Sequence, residues 1–215
     1  MRRLRWAGFV LVVVAISAGC GGSKPKPLGL DQRLMRDGDL KGFTLLTPHP
    51  KPLDTLAALS DVGGDFINDP NAAAKRLVPK FQKAGFRRGL SQKLFRNGVR
   101  ADATYIVSQW ASEKQAKAVL EPLYMESFAP CPRKCQVKKT EFKVSGIKDA
   151  KGAELSQDTG SNRFRAYRVE FTDGPFLYGL AVYLHGPLDA VSEDDVVDAA
   201  DALYKRVKDH PPPGS

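Results

Sequence analysis

The segment from Phe176 to Leu184 restricts the fold most strongly, because it is apolar on both faces of a strand. At the period of two that strands follow, one face carries Phe176, Tyr178, Leu180 and Val182, and the other carries Leu177, Gly179, Ala181 and Tyr183. A strand of this kind lies in the centre of a sheet, with other elements packed on both sides. The turn Thr172-Asp173-Gly174-Pro175 joins it to a preceding strand, Phe164 to Phe171.

A second hairpin is predicted earlier in the chain. Strands at Phe86 to Phe95 and Ala101 to Trp110 are joined at Asn97-Gly98, a dipeptide typical of tight turns because both positions accept positive φ. Further strands are predicted at Phe43 to Leu46 and Val137 to Val144. The three prolines between Thr47 and Pro52 predict an extended loop there.

Three helices complete the pattern. Ser112 and Gln115 form a capping box that begins one helix, which Pro122 bends or ends. Ser192 caps a final helix, whose acidic first turn and basic last turn both complement the helix dipole. A third helix runs from Asp69-Pro70 to a stop at Gly85, with a kink at Pro79. We therefore predict a single α+β domain, residues 30–209, with a largely antiparallel sheet packed with helices.

The N-terminus has the pattern of an export signal. Arg2, Arg3 and Arg5 precede an apolar run from Trp6 to Ala18. Such a run reaches roughly 20 Å as a helix, which is shorter than the approximately 30 Å hydrocarbon core of a bilayer. We predict a signal peptide at residues 1–19, a flexible tether at 20–29 rich in Gly, Pro, Ser and Lys, and a disordered tail at 210–215.

The sequence Ser17-Ala18-Gly19-Cys20 resembles the lipobox of bacterial lipoproteins, although Ser17 stands where leucine is more usual. This resemblance implies that Cys20 becomes the lipidated N-terminus, carrying palmitate-type acyl chains. It also implies that the domain is anchored at the extracytoplasmic face of the cell membrane. Several acyl chains on one residue give a durable anchor, whereas a single chain does not. The alternative is a secreted protein that is cut nearby and keeps Cys20 as a free thiol.

The order of the elements suggests a second resemblance. From Gly85-Phe86, through Trp110 and its capped helix, to Tyr183 and the last helix, the chain is similar to small lipoproteins of high-GC Gram-positive bacteria. Some of their extracytoplasmic domains resemble the PsbP/Mog1 fold. The similarity implies a binding module and carries over no functional residue.

Cys131 and Cys135 form the one cysteine pair downstream of Cys20. Outside the cytoplasm, two thiols at this spacing most readily join in a disulfide, which contributes about 2 kcal/mol for so short a loop. We predict that it stabilises the turn between the Ser112 helix and the next strand. A redox role and a zinc site are the alternatives, although a zinc site would need two further ligands.

No catalytic motif is present in the sequence. His49, His185 and His210 are predicted to be solvated loop or tail residues, and no nucleophile elbow, phosphate-binding loop or zinc-protease motif occurs. We predict no catalytic residue, no metal site and no cofactor. A pair of acidic residues of the glycosidase type has no local signature and stays open.

The formal net charge is +9, and the basic residues form two clusters. These are Arg87, Arg88, Lys93, Arg96 and Arg100 around the first hairpin, and Arg133, Lys134, Lys138, Lys139 and Lys143 around the cysteine pair. Export excludes nucleic acid as a partner, which leaves anionic lipid or an envelope polymer. Solvated strand faces are the alternative. The aromatic residues Phe164, Tyr167, Phe171, Phe176, Tyr178 and Tyr183 are predicted to be core rather than pocket lining.

These observations predict a non-enzymatic, lipid-anchored, extracytoplasmic module that binds a small ligand, an anionic envelope polymer or an envelope protein. The alternatives are an envelope hydrolase with acidic catalytic residues and a structural envelope protein without a ligand. A cleft with two carboxylates would indicate the hydrolase, and an apolar cavity would indicate ligand binding. A closed core with a flat basic face would indicate the structural role.

Overall fold

Backbone hydrogen bonds join every strand of the described chain into one antiparallel sheet of eight strands. The computed structural model describes residues 25–46, 49–53, 79–126, 137–159 and 162–213. The strands are β1 (Thr44–Leu45), β2 (Lys51–Leu53), β3 (Phe86–Arg96), β4 (Ala101–Trp110), β5 (Lys138–Phe142), β6 (Lys151–Thr159), β7 (Asn162–Asp173) and β8 (Phe176–Leu184). The helices are α1 (Glu113–Glu126) and α2 (Glu193–Val207), with a 3-10 turn at Asp31–Arg33 and helical residues at 79–83.

The strand order is β1-β3-β4-β8-β7-β6-β5, with β2 also paired to β3. The predicted central strand is thus confirmed, since β8 lies between β4 and β7 in the middle of the sheet. The α+β class with an antiparallel sheet is likewise confirmed.

The two faces of the sheet are covered by different elements. On one face, α2 and the segment around Leu34 and Phe43 pack against β4, β7 and β8, and this layer holds the main hydrophobic core. Tyr167, Phe171 and Tyr178 are buried in this core, as the sequence predicts. On the other face, α1 and Phe81 of residues 79–83 pack against Trp110 and Leu177.

The first hairpin differs from its prediction in one detail. Arg96 pairs with Ala101, so the connection is a four-residue loop rather than a two-residue turn. Gly98 has φ +79°, as predicted, but Asn97 does not enter the positive-φ region. A four-residue loop needs one left-handed position at most, so a glycine there is sufficient.

The capped helix starts are borne out, and of the two effects predicted for Pro122, a bend or an end of the helix, the end is not found. The Oγ of Ser192 accepts from the N–H of Asp195 at 3.1 Å, and Asp195 completes the capping box. The Oγ of Ser112 accepts from Gln115 N–H at 3.3 Å. Helix α1 does not end at Pro122 but continues to Glu126, because a proline removes one helical hydrogen bond without forbidding helical φ.

Two strands escaped the sequence analysis. β6 (Lys151–Thr159) is half-polar and contains a glycine, so its alternation is weak, yet it pairs with both β5 and β7. β2 (Lys51–Leu53) overlaps the predicted extended loop, and Pro52 lies opposite Leu90 at the sheet edge, where proline is tolerated. The helix predicted from Asp69-Pro70 falls outside the described residues except for 79–83.

Candidate functional site

The central strand has a depression on the face that α1 covers in part. Along this face, β8 presents Leu177, Gly179, Ala181 and Tyr183, which alternate with the core-facing residues. Gly179 and Ala181 are half-buried, whereas Leu177 and Tyr183 at either end are buried. Because these two small residues are neighbours on the same face of the strand, they leave a space about 7 Å long between the bulkier side chains at either end. We call this space the β8 groove, with Gly179 and Ala181 as its floor.

The neighbouring strands form the two walls of the β8 groove. The register places Ile106 of β4 and Glu170 of β7 on either side of the floor glycine. It places Thr104 of β4 and Arg168 of β7 on either side of the floor alanine. Directly opposite residues project to the same face of a sheet. One wall therefore carries an isoleucine and a threonine, and the other consists of an acid and a base.

Aromatic rings border one end of the β8 groove. Trp110 is 2% exposed, and its indole N–H donates to the Oγ of Ser108 at 3.0 Å. The rings of Phe81 and Phe86 meet it edge-on, with centroids 5.5 and 5.4 Å away. With Leu177, they make an apolar end at which the one polar group of Trp110 is already satisfied.

The β8 groove is narrow. It holds about 600 Å³ of space free of atoms, part of it open solvent, but the centre of a water molecule fits into only about 40 Å³ of it. Leu53 of β2 and Tyr178 and Leu180 of β8 also line it. A cavity that admits a few water centres and is mostly apolar fits a slender apolar group better than a bulky polar one.

Arg168 and Glu170 form a buried ion pair in the wall. The side chains are 10% and 4% exposed. The Nε of Arg168 donates to Oε1 of Glu170 at 2.7 Å, and Nη2 of Arg168 donates to the same oxygen. Both of these hydrogen bonds therefore use the same carboxylate oxygen.

The second oxygen of Glu170 has no hydrogen-bond partner among the residues that the structure describes. Oε2 is buried and accepts no hydrogen bond from any described residue. Burial raises the pKa of Glu170 above its ordinary value of 4.5, and the Arg168 guanidinium opposes this shift without cancelling it. A buried carboxylate oxygen without a partner is costly, so this is the atom of the β8 groove best placed to bind a ligand group.

On the opposite face, Arg33 fastens the two ends of the described chain together. It is fully buried, and its guanidinium carbon lies 3.8 Å from the centroid of Phe176. Its nitrogens donate to Leu28 O at 3.2 Å, Tyr178 Oη at 2.7 Å, Asp173 Oδ2 at 3.5 Å, Val207 O at 3.5 Å and His210 O. Nearby, Leu28 N–H donates to Pro211 O at 3.1 Å. The chain thus enters and leaves the domain side by side.

A second and wider cleft lies beside this junction, with about 460 Å³ accessible to water. Its buried polar groups are largely engaged within the protein. Gln92 bonds to both the N–H and the C=O of Met35. Arg206 donates to Asp39 and Leu34, which leaves its Nε as the one buried polar atom of the described lining without a partner. These groups hold the fold together, so the β8 groove is the better candidate site.

The structure describes none of the residues predicted for anchoring and cross-linking. Cys20, Cys131 and Cys135 are outside the described residues, so lipidation and the disulfide stay predictions. His49 and His185 are exposed, as the sequence predicts. Nδ1 of the His210 ring lies 2.6 Å from the carbonyl oxygen of Lys26.

The described residues of the two basic clusters lie toward opposite edges of the sheet. Arg88, Lys93 and Arg100 are exposed on and after β3, which lies toward one edge of the sheet. Lys138 and Lys143 are exposed on and after β5, at the other edge. Arg133 and Lys134 lie outside the described residues.

The carboxylate pair that would indicate a hydrolase is not found in the β8 groove. Glu170 is the one acidic residue among the described residues that line it. Within the described ranges, no group of His, Cys, Asp and Glu is arranged to hold a metal ion. No helix in the described part of the chain has the length and apolar character needed to cross a membrane.

Sequence reasoning did not single out the residues of the β8 groove. The paired small residues Gly179 and Ala181 were visible as part of an apolar face. Arg168 and Glu170 were visible two positions apart on the neighbouring strand, where they share a face. What the sequence lacks is the register that places the small pair beside the charged pair.

Comparison with known proteins shows the fold alone. The solved structures include the extracellular domain of PknH from Mycobacterium tuberculosis, with a TM-score of 0.52 and 10% identity, covering 84% of this chain and 97% of that one. A protein of Mycobacterium smegmatis described as an Rv0999 ortholog gives 0.46 and 10%, covering 78% and 90%. No family model and no curated protein matches the sequence.

Proposed function

We propose that this chain is an extracytoplasmic binding module, anchored to the membrane through Cys20, which holds a small ligand in the β8 groove. The observation that carries the proposal is the groove itself, a mainly apolar cavity with one unpaired buried carboxylate oxygen. Small-molecule sites in proteins combine apolar lining with a few polar groups in just this way.

The fold supports the proposed location. The PknH domain, which has a similar architecture, is described as extracellular. The export pattern in residues 1–19 and the cysteine that follows it give the same location from independent evidence. The module is non-enzymatic in this proposal, since a single carboxylate paired to an arginine does not supply the acid and base that hydrolysis needs.

The ligand is tested by native mass spectrometry of the full chain, exported by a bacterial host and purified as that host processes it. We expect a discrete bound mass that is lost on denaturation. The matched control is Gly179→Val, which places a branched side chain in the β8 groove. An added Cβ at this position meets one atom within 4 Å, Cγ of Glu170 at 3.9 Å, so the backbone has room for a side chain that starts here.

The variant Gly179→Val is expected to lose the bound mass and keep the wild-type midpoint of urea unfolding. Gly179→Ala, which adds only a methyl group, is expected to retain part of the ligand. A wild-type spectrum without any bound mass, or equal occupancy in Gly179→Val, would contradict ligand binding in the β8 groove.

The anchor is tested separately by Cys20→Ala. We expect this variant to leave the membrane fraction, because acylation of the thiol supplies the membrane affinity. Fractionation of cells that express the wild type or the variant measures how much of each protein is in the membrane fraction. A variant that stays membrane-bound would contradict the lipid anchor and would not bear on ligand binding in the β8 groove.

A further inference from the structure

Oε2 of Glu170 restricts what the β8 groove can accept. The side chain is 4% exposed, and this oxygen has no partner among the described residues, while Oε1 is held by Arg168. A carboxylate oxygen accepts hydrogen bonds, so the complementary ligand group is a donor.

The charge of the wall selects the kind of donor. Arg168 lies against the Glu170 carboxylate and compensates its charge. An ammonium group beside it would leave an uncompensated positive charge, since no other acidic residue lines the described groove. A ligand carboxylate would meet Glu170 as a like charge. A neutral hydroxyl group satisfies Oε2 without adding charge to the cavity.

The shape of the groove selects the rest of the ligand. Gly179 and Ala181 form a floor without bulk, and Ile106, Leu177 and Trp110 supply apolar contacts along and beyond it. Because water centres fit into only about 40 Å³ of the groove, its shape favours an unbranched chain over a fused ring system.

We propose that the β8 groove binds a slender, unbranched apolar molecule through a neutral hydroxyl group that donates a hydrogen bond to Oε2 of Glu170. This inference rests on the proposed function and adds the chemical class of the ligand.

The test compares probes that share one alkyl chain and differ at the head group: 1-decanol, 1-methoxydecane, decylammonium and decanoate. The chain has two tryptophans, Trp6 and Trp110. Trp6 lies in the predicted signal peptide, so protein that is exported and purified as above reports binding through Trp110 at the end of the groove, and the variant Trp6→Phe does so even if that segment is kept. A lipid-anchored protein is purified in detergent, and the probes also partition into detergent micelles. Each titration is therefore repeated in Gly179→Val, and the signal of this variant is subtracted.

We expect 1-decanol to bind best and its methyl ether to bind roughly tenfold or more weakly, because the ether cannot donate to Oε2. In Glu170→Gln, the amide oxygen keeps the bond to Arg168, so the amide nitrogen replaces Oε2 and donates. The preference for the alcohol over the ether is therefore expected to disappear. The matched control is Glu154→Gln, since Glu154 also pairs with an arginine, Arg165 at 3.3 Å, and does not line the groove.

The outcomes separate this inference from the proposed function. Equal binding of all four probes in the wild type, or tightest binding of decylammonium or decanoate, overturns the ligand class and leaves the groove as a binding site. An alcohol preference that survives in Glu170→Gln overturns the role of Oε2. If no probe changes Trp110 fluorescence and native spectra show no bound mass, both the inference and the proposed function fail. Should Glu170→Gln not fold, the four-probe comparison in the wild type still decides the ligand class.

Discussion

Replacing Arg33 with methionine should be among the most destabilising changes in this domain. The guanidinium is fully buried and donates to groups from three parts of the chain, including Tyr178 Oη at 2.7 Å and Leu28 O at 3.2 Å. Methionine fills similar space without donors, so these acceptors and Asp173 lose their partner. Removing one member of a buried ion pair costs about 3–5 kcal/mol, and the lost contact with Phe176 adds to this.

Urea unfolding followed by fluorescence measures the effect. We expect the free energy of unfolding to fall by roughly 3–5 kcal/mol, with little change in the slope against denaturant. Arg36→Met is the matched control, since Arg36 lies in the same segment with an exposed side chain, and its cost should stay within about 0.5 kcal/mol. A loss below about 1 kcal/mol for Arg33→Met would refute the reasoning that this arginine fastens the two chain ends.

Three further predictions concern separate parts of the chain. Ser192→Ala should cost about 1 kcal/mol in urea unfolding, because α2 loses its side-chain cap; no loss would mean that water replaces the cap. Burial raises the pKa of Glu170 above 4.5, so the folded protein holds that proton more tightly than the unfolded chain. Stability of the wild type relative to Glu170→Gln should therefore fall as the pH rises from 4.5 through the folded pKa, and a constant difference in unfolding scans would contradict this. Mild reduction of Cys131 and Cys135 should lower the unfolding free energy by only about 2 kcal/mol, and global unfolding would show that the bridge matters more.

The strands that sequence predicts well are those whose side chains reach the core. β8 is recovered with its bounds, Phe176 to Leu184, because apolar residues at consecutive positions have one stable placement in a sheet. β4 is recovered for the related reason that Ala103, Tyr105 and Val107 recur at a period of two. A local sequence pattern is therefore sufficient to predict a strand where the burial of apolar side chains dominates the stability of that strand.

β6 and the β8 groove depend instead on pairing between distant segments. β6 buries Ala153 and Leu155 but otherwise reads as polar, and it is held as a strand by neighbours on both sides. Glu170 becomes a candidate ligand-binding residue only because the strand register places it opposite Gly179. A single sequence contains no measure of that register, so the site appears only in the folded chain.

The central position of β8 also limits how the site can recognise anything. Its backbone is hydrogen-bonded to β4 on one side and β7 on the other, so the floor has no open strand edge to which an extended peptide could add. Selectivity must come from the side chains that stand above the floor, such as Thr104, Ser108 and Glu170. If the β8 groove binds the ligand proposed above, single substitutions in its walls would change which ligand fits, while the hydrogen-bond ladder of the sheet would stay the same.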